Sequence, residues 1–106
     1  MSAITTHVLD TARGCPAAGI PVTLERLDGT WQTAGTGTTD SDGRIGDLLA
    51  PGDIAEGTWR ITFNLEGYQA GFYPYATIVF RVRDGSQHYH VPLLLSPYGY
   101  STYRGS

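Results

Sequence analysis

The residues in this sequence that could do chemistry are three histidines, an arginine on a turn and a serine at the chain end: His7, His88, His90, Arg44 and Ser106. A neutral imidazole is a usable base near pH 7, because its reference pKa is about 6.5. It can take a proton from water as that water attacks a carbonyl. A guanidinium presents a planar fork of donors, suited to an oxygen-rich or anionic ligand. Each residue also has a plainer reading. A histidine on a strand surface is most often solvated and without a role, and arginine is usually exposed. Three histidines without carboxylates or thiolates at ligand spacing make a weak metal signature, so no metal is expected. Cys15 is the single cysteine; it cannot pair within the chain and reads as an inert small residue beside Gly14 and Pro16. There is no Gly-x-Ser-x-Gly elbow and no Walker or Rossmann glycine loop, so no nucleotide cofactor is expected.

The elements that must hold these residues are short. The 106 residues fit one domain, 1–106, with 41% hydrophobic and 16% charged residues, an ordinary globular composition. A core this small leaves oligomer contacts as a natural supplement to stability. The formal charge of −3, without a basic cluster, argues against nucleic acid or an anionic membrane as partner. No signal-peptide pattern opens the chain, and no apolar run approaches the ~20 residues of a membrane helix. Arg104-Gly105-Ser106 is not the peroxisomal tripeptide, so the expected compartment is the cytoplasm.

Glycines separate runs rich in Val, Ile, Thr and aromatic residues, which predicts about eight short strands. They are expected near 5–11, 20–27, 31–36, 44–48, 57–64, 75–82, 87–95 and 99–103. Asp28-Gly29 marks a hairpin turn, and Thr39 to Gly43 a second turn rich in Asx-type residues. In Gly57–Asn64, Trp59, Ile61 and Phe63 share one face while Arg60, Thr62 and Asn64 share the other. Ile78, Phe80 and Val82 are expected inward, and Leu65–Ala70 could hold one helical turn. The expected fold is a two-sheet antiparallel sandwich with at most one short helix.

Alternation also orients the histidines. Tyr89, Val91, Leu93 and Leu95 share the apolar face of their strand, so His88 and His90 point away from the core. In the first strand, Thr5, His7 and Leu9 oppose Thr6, Val8 and Asp10, and the pattern leaves open which set is buried. The tail from Tyr98 to Ser106 is aromatic and strand-like, unlike a fraying terminus, so it is expected to be docked.

At these positions the sequence resembles the 5-hydroxyisourate hydrolases, the enzyme branch of the transthyretin-related family. The resemblance runs over nearly the whole chain. It is carried by Thr6-His7-Val8-Leu9-Asp10-Thr11-Ala12-Arg13-Gly14-Cys15-Pro16-Ala17, by Thr39-Asp40-Ser41-Asp42-Gly43-Arg44, by His88-Tyr89-His90-Val91-Pro92-Leu93-Leu94-Leu95-Ser96-Pro97 and by the terminal Tyr103-Arg104-Gly105-Ser106. It implies a transthyretin-like (prealbumin-like) β-sandwich of two four-stranded sheets with one short helix. It implies a homotetramer, a dimer of dimers whose central channel holds the active sites. It places the catalytic residues at His7, Arg44, His90 and Ser106, and substrate binding at His7, Arg44, Tyr103 and Arg104. The reaction implied is hydrolytic opening of 5-hydroxyisourate, a small-molecule substrate, without a cofactor. Either His90 or His7 could be the general base. Two other functions compete: a carrier of a small aromatic ligand, and an inert adhesin-type sandwich. A carrier calls for an apolar channel, and an adhesin for none of these polar residues.

Overall fold

The computed structural model describes residues 2–68 and 71–105. Strands run in the order β1 (Ile4–Asp10), β2 (Cys15–Pro16), β3 (Pro21–Asp28), β4 (Thr30–Thr38), β5 (Arg44–Ile45), β6 (Gly57–Asn64), β7 (Tyr75–Val82), β8 (Tyr89–Ser96) and β9 (Gly99–Thr102). They form two sheets: a four-stranded one ordered β4-β3-β6-β7, and a five-stranded one ordered β2-β1-β8-β9 with β5 also on β1. The Asp28-Gly29 signal becomes the β3–β4 hairpin, with Gly29 at φ 73°. The β6 alternation holds without exception, with Trp59, Ile61 and Phe63 buried. Val82 is likewise buried, while Ile78 and Phe80 are partly buried against the core. Among the described residues no helix is long and apolar enough to cross a membrane.

Three details differ from the expected sandwich. First, β1 and β8 are parallel, from Ile4↔Tyr89 to Asp10↔Leu95. A period of two fixes which face is buried and carries no information about strand direction. Second, the sheet containing β1 has five members, because Asp10 and Leu9 pair with Cys15 and Pro16 inside the expected loop. Third, there is no helix among the described residues: 66–68 is a turn closed by Tyr68 N–H donating to Leu65 O at 3.2 Å. Asn64 Oδ1 accepts the Glu66 N–H at 3.2 Å, a local bond of the kind that competes with helix formation. The rest of the expected helical turn, Gln69 and Ala70, lies outside the described residues.

The structure also settles the facing of β1. Ile4, Thr6, Val8 and Asp10 are buried, which turns Thr5, His7 and Leu9 outward. The polar members of the inner face are all satisfied. Thr6 Oγ1 donates to Val91 O at 2.6 Å. Asp10, fully buried, accepts from the Tyr68 hydroxyl at 2.7 Å and the Arg13 N–H at 3.1 Å. Burial pushes the Asp10 carboxyl up, but the Tyr68 hydroxyl, the backbone N–H groups of Arg13 and Ala12 and the Arg13 charge together hold it below its ordinary value.

A carboxylate whose folded pKa is depressed stabilises the fold above its unfolded pKa and loses that contribution as pH falls. Removing its donor leaves a buried charge short of a partner, at about 1.5–3 kcal/mol. Tyr68→Phe is therefore expected to lower the unfolding free energy by about that amount at pH 7. The gap to the parent protein should narrow as the pH drops below 3.8, the ordinary Asp value. Denaturant titration at both pH values checks this; equal stability at pH 7 would remove Asp10–Tyr68 as a structural tie.

Candidate active site

Four backbone segments lie side by side and present one row of side chains on the outer face of the five-stranded sheet. β5 pairs with β1 so that Arg44 opposes His7. β1 pairs with β8 so that Thr5 opposes His90, one diagonal step from His7. The tail then closes on β8 through an isolated bridge between His90 and Gly105, with Gly105 N–H donating to His90 O at 2.8 Å. Sequence reasoning placed His7, Arg44 and His90 far apart along the chain; the sheet makes them neighbours.

The turn before β5 is built to deliver Arg44. Asp40 Oδ1 accepts the N–H groups of Asp42 (2.8 Å) and Arg44 (3.0 Å), an Asx-type clasp. The Arg44 N–H, offset in part by desolvation, and then the Asp42 N–H and the Arg44 and His7 charges hold the Asp40 carboxyl below its usual range. Gly43 adopts φ 74° and its carbonyl accepts the Val8 N–H at 2.7 Å, while a Cβ there would fall 2.4 Å from Val8 O. Only glycine allows the turn to approach β1 so closely. The Arg44 side chain is exposed and has no hydrogen bond or ion pair among the described residues, so its donors are free for a ligand.

His90 is held on two sides. Its Nδ1 lies 2.8 Å from Thr5 Oγ1, and the same oxygen lies 3.0 Å from His88 Nε2. The two imidazoles stack at 6.5 Å between centroids and 17° between planes. On the other side Gly105 packs against the ring: a Cβ at 105 would stand 2.5 Å from His90 Cδ2. Burial, then the charges of Arg44, His7 and His88, push the His90 pKa below 6.5, and a hydrogen bond with the Thr5 backbone works in the other direction. The imidazole is thereby kept neutral at pH 7, the form a base needs.

Thr5, Thr6, Arg44, Ile45, His88 and His90 line a cleft of about 280 Å³. A larger cleft of about 500 Å³ opens at the edges of the two sheets, over Ile78, Phe80 and Val91. Size does not select the site here, because no histidine lines the larger cleft, while His88 and His90, bases suited to neutral pH, line the smaller one. Tyr103 and Arg104 line the larger cleft. Arg104 lies over the Tyr89 ring at 4.6 Å and donates to Gln87 Oε1 at 3.2 Å, anchoring the tail. Ser106 lies outside the described residues. Among those described, no group of His, Cys, Asp or Glu could hold a metal ion. Thr5 and Gly105 were not singled out from sequence. Thr5 shared the His7 face, but its relation to His90 needs the parallel register; Gly105 carried no signal beyond its place in the tail.

The HIUase/Transthyretin family matches residues 4–105. The 5-hydroxyisourate hydrolase of Mus musculus is 47% identical over 113 residues, covering 99% of this chain and 96% of that protein. The uric acid degradation bifunctional protein TTL of Arabidopsis thaliana is 48% identical over 97% of this chain, which spans only 37% of that protein's length. Among solved structures, 5-hydroxyisourate hydrolase of Klebsiella pneumoniae superposes with a TM-score of 0.85 at 32% identity, over 97% of this chain and 98% of that one. Sea bream transthyretin in complex with thyroxine gives 0.88 at 29% identity, over 98% and 95%.

Gly105→Ala is expected to push the His90 ring off Thr5, since the new methyl would overlap it. Histidine NMR should show altered His90 ring signals and a titration midpoint moved up toward 6.5, as the ring leaves its desolvated place. Thermal stability should change little, because residue 105 belongs to the terminal tail and not to the core. An unchanged His90 spectrum would mean the tail does not position that ring.

Proposed function

The chain belongs to the HIUase/Transthyretin family, and from that membership we propose that it hydrolyses 5-hydroxyisourate to 2-oxo-4-hydroxy-4-carboxy-5-ureidoimidazoline, a step of urate catabolism towards allantoin. Relatives that carry the hydrolase name match nearly the full chain. The observation that carries the reading is the meeting of Arg44, His7 and His90 on adjacent strands, with Arg44 and His90 lining one cleft and a docked glycine seating His90.

Opening a cyclic amide needs an activated water, a hold on the planar ring and stabilisation of charge on the carbonyl oxygen. His90 is the general base: its pKa is lowered and its ring is fixed. It takes a proton from water as the water oxygen bonds to the ring carbonyl carbon. The Arg44 fork binds the ring oxygens and faces the negative charge that builds on the carbonyl oxygen. The tetrahedral adduct then collapses with cleavage of the C–N bond. The leaving nitrogen takes a proton, and the former ring carbonyl with the water oxygen becomes the new carboxyl group. His7 orients the water and hands on that proton. Ser106, beside Gly105 in sequence, holds substrate or water by hydrogen bonding. Tyr103 and Arg104 act from the tail, which Arg104 anchors. The steps move only protons and one acyl bond, so they call for no cofactor.

A carrier reading has the transthyretin–thyroxine likeness behind it. It leaves the free guanidinium and the neutral, tethered imidazole without a purpose. The assembly we propose is a homotetramer, a dimer of dimers in the cytoplasm. Two observations support association: among the described residues β7 and β9 each leave one strand edge without a partner, and Phe72, Val79, Tyr98 and Tyr103 are more than half exposed.

The ultraviolet decay of freshly generated 5-hydroxyisourate should accelerate with the protein present. His90→Asn and His7→Asn should each lower kcat by about 10²- to 10⁴-fold. The rate should fall on the acid side as His90 protonates, with the limb below pH 6.5. Near-normal kcat in both variants with an unchanged pH profile would mean that another group activates the water. Sedimentation should give four chains per particle; a stable, fully active monomer contradicts the proposed assembly.

A further inference from the structure

Thr5 Oγ1 sits between two imidazole nitrogens, 2.8 Å from His90 Nδ1 and 3.0 Å from His88 Nε2. A hydroxyl has one proton to donate, and a neutral imidazole has one N–H and one lone pair. With both histidines neutral, at most one nitrogen can therefore accept from Thr5, and at least one must donate to it. If Thr5 donates to His90, the His90 proton sits on Nε2 and no lone pair is left for water. If Thr5 donates to His88, or accepts from both rings, His90 carries its proton on Nδ1 and Nε2 is a free base.

We propose that Thr5 and His88 are positioning residues of this site: His88 takes the Thr5 proton, and Thr5 thereby holds His90 as its Nδ1–H tautomer with Nε2 open to the cleft. His88 suits the accepting role because it is exposed, so water can satisfy its own Nδ1–H. His90 suits the donating role because its cleft also holds the Arg44 guanidinium. A lone pair beside a cation is favourable, and an N–H beside one is not. The ionisable groups that face His90 are Arg44 from β5, His7 from β1 and His88 from the residue just before β8. From the tail, Gly105 brings no charge against it. The hydrogen bond on one ring nitrogen decides what the other can do.

This inference rests on the reading of His90 as general base, and its test separates the two. Nitrogen-15 shifts of the histidine rings report the tautomer whether or not the protein opens 5-hydroxyisourate. In the parent protein His90 should carry its proton on Nδ1, and a dominant Nε2–H form overturns the proposal. Thr5→Val should move His90 toward Nε2–H and lower kcat about 10- to 100-fold, the range for groups that orient a histidine, with little change in KM. Thr5→Ser should restore both. His88→Ala frees the Thr5 proton for His90, so it should shift the tautomer the same way and lower kcat. Parent-like tautomer and kcat in Thr5→Val or in His88→Ala would overturn the part assigned to that residue. Loss of substrate turnover in the parent protein itself would instead count against the function proposed above.

Discussion

The parallel pairing of β1 with β8 is the constraint on which the rest of the structure depends. Its register sets Thr5 opposite His90 and Thr6 opposite Val91. One slip of a single residue would turn every side chain of β1 to the other face. Ile4, Val8 and Asp10 would then leave the core, and His7 would enter it. The inner face guards the register with apolar burial, with the bond from Thr6 Oγ1 to Val91 O, and with the buried Asp10–Tyr68 tie. The outer face spends that fixed register on chemistry. Core and site are thus two sides of one strand, and the same backbone hydrogen bonds position both.

From this pair the site grows outward on both flanks. β5 is only two residues long, yet its turn is held by Asp40 and by the close approach of Gly43 to Val8. Those contacts aim Arg44 at His7. On the other flank the tail bridges to His90, with Arg104 fastened over Tyr89. A mobile tail would leave the His90 ring solvated and free to turn. Docked, it desolvates the ring, which is the largest cause of its lowered pKa. The proton chemistry proposed here therefore depends on backbone geometry at two glycines, Gly43 and Gly105.

Much of this was legible in the residues. Alternation in β8 turned His90 outward, and the aromatic tail read as docked; both hold. The hairpin at Asp28-Gly29 and the limits of β6 and β7 also held. Strand direction was not legible, because a period of two looks the same read either way. Nor was the facing of β1, whose two sets of residues are about equally polar: Asp10 is buried only because Tyr68, 58 positions away, supplies a donor. The part played by Thr5 was hidden for the same reason, since its partners lie 83 and 85 positions along the chain. The helical turn that Leu65–Ala70 could hold is a plain turn over 66–68, because propensity does not register the Asn64 side chain capturing a backbone N–H.

The proposed substrate site is the smaller cleft, with its imidazoles and guanidinium, and not the larger one over Ile78, Phe80 and Val91. Uric acid is planar and oxygen-rich like the substrate, and hydrolysis does not consume it. Titrating it into the protein while following backbone and histidine NMR signals tests the choice most directly. The account predicts saturable shifts at His7, Arg44, His90 and Gly105, with Phe80 and Val91 little changed. Shifts confined to Ile78, Phe80 and Val91, with His7 and His90 undisturbed, would place the ligand in the larger cleft and contradict it.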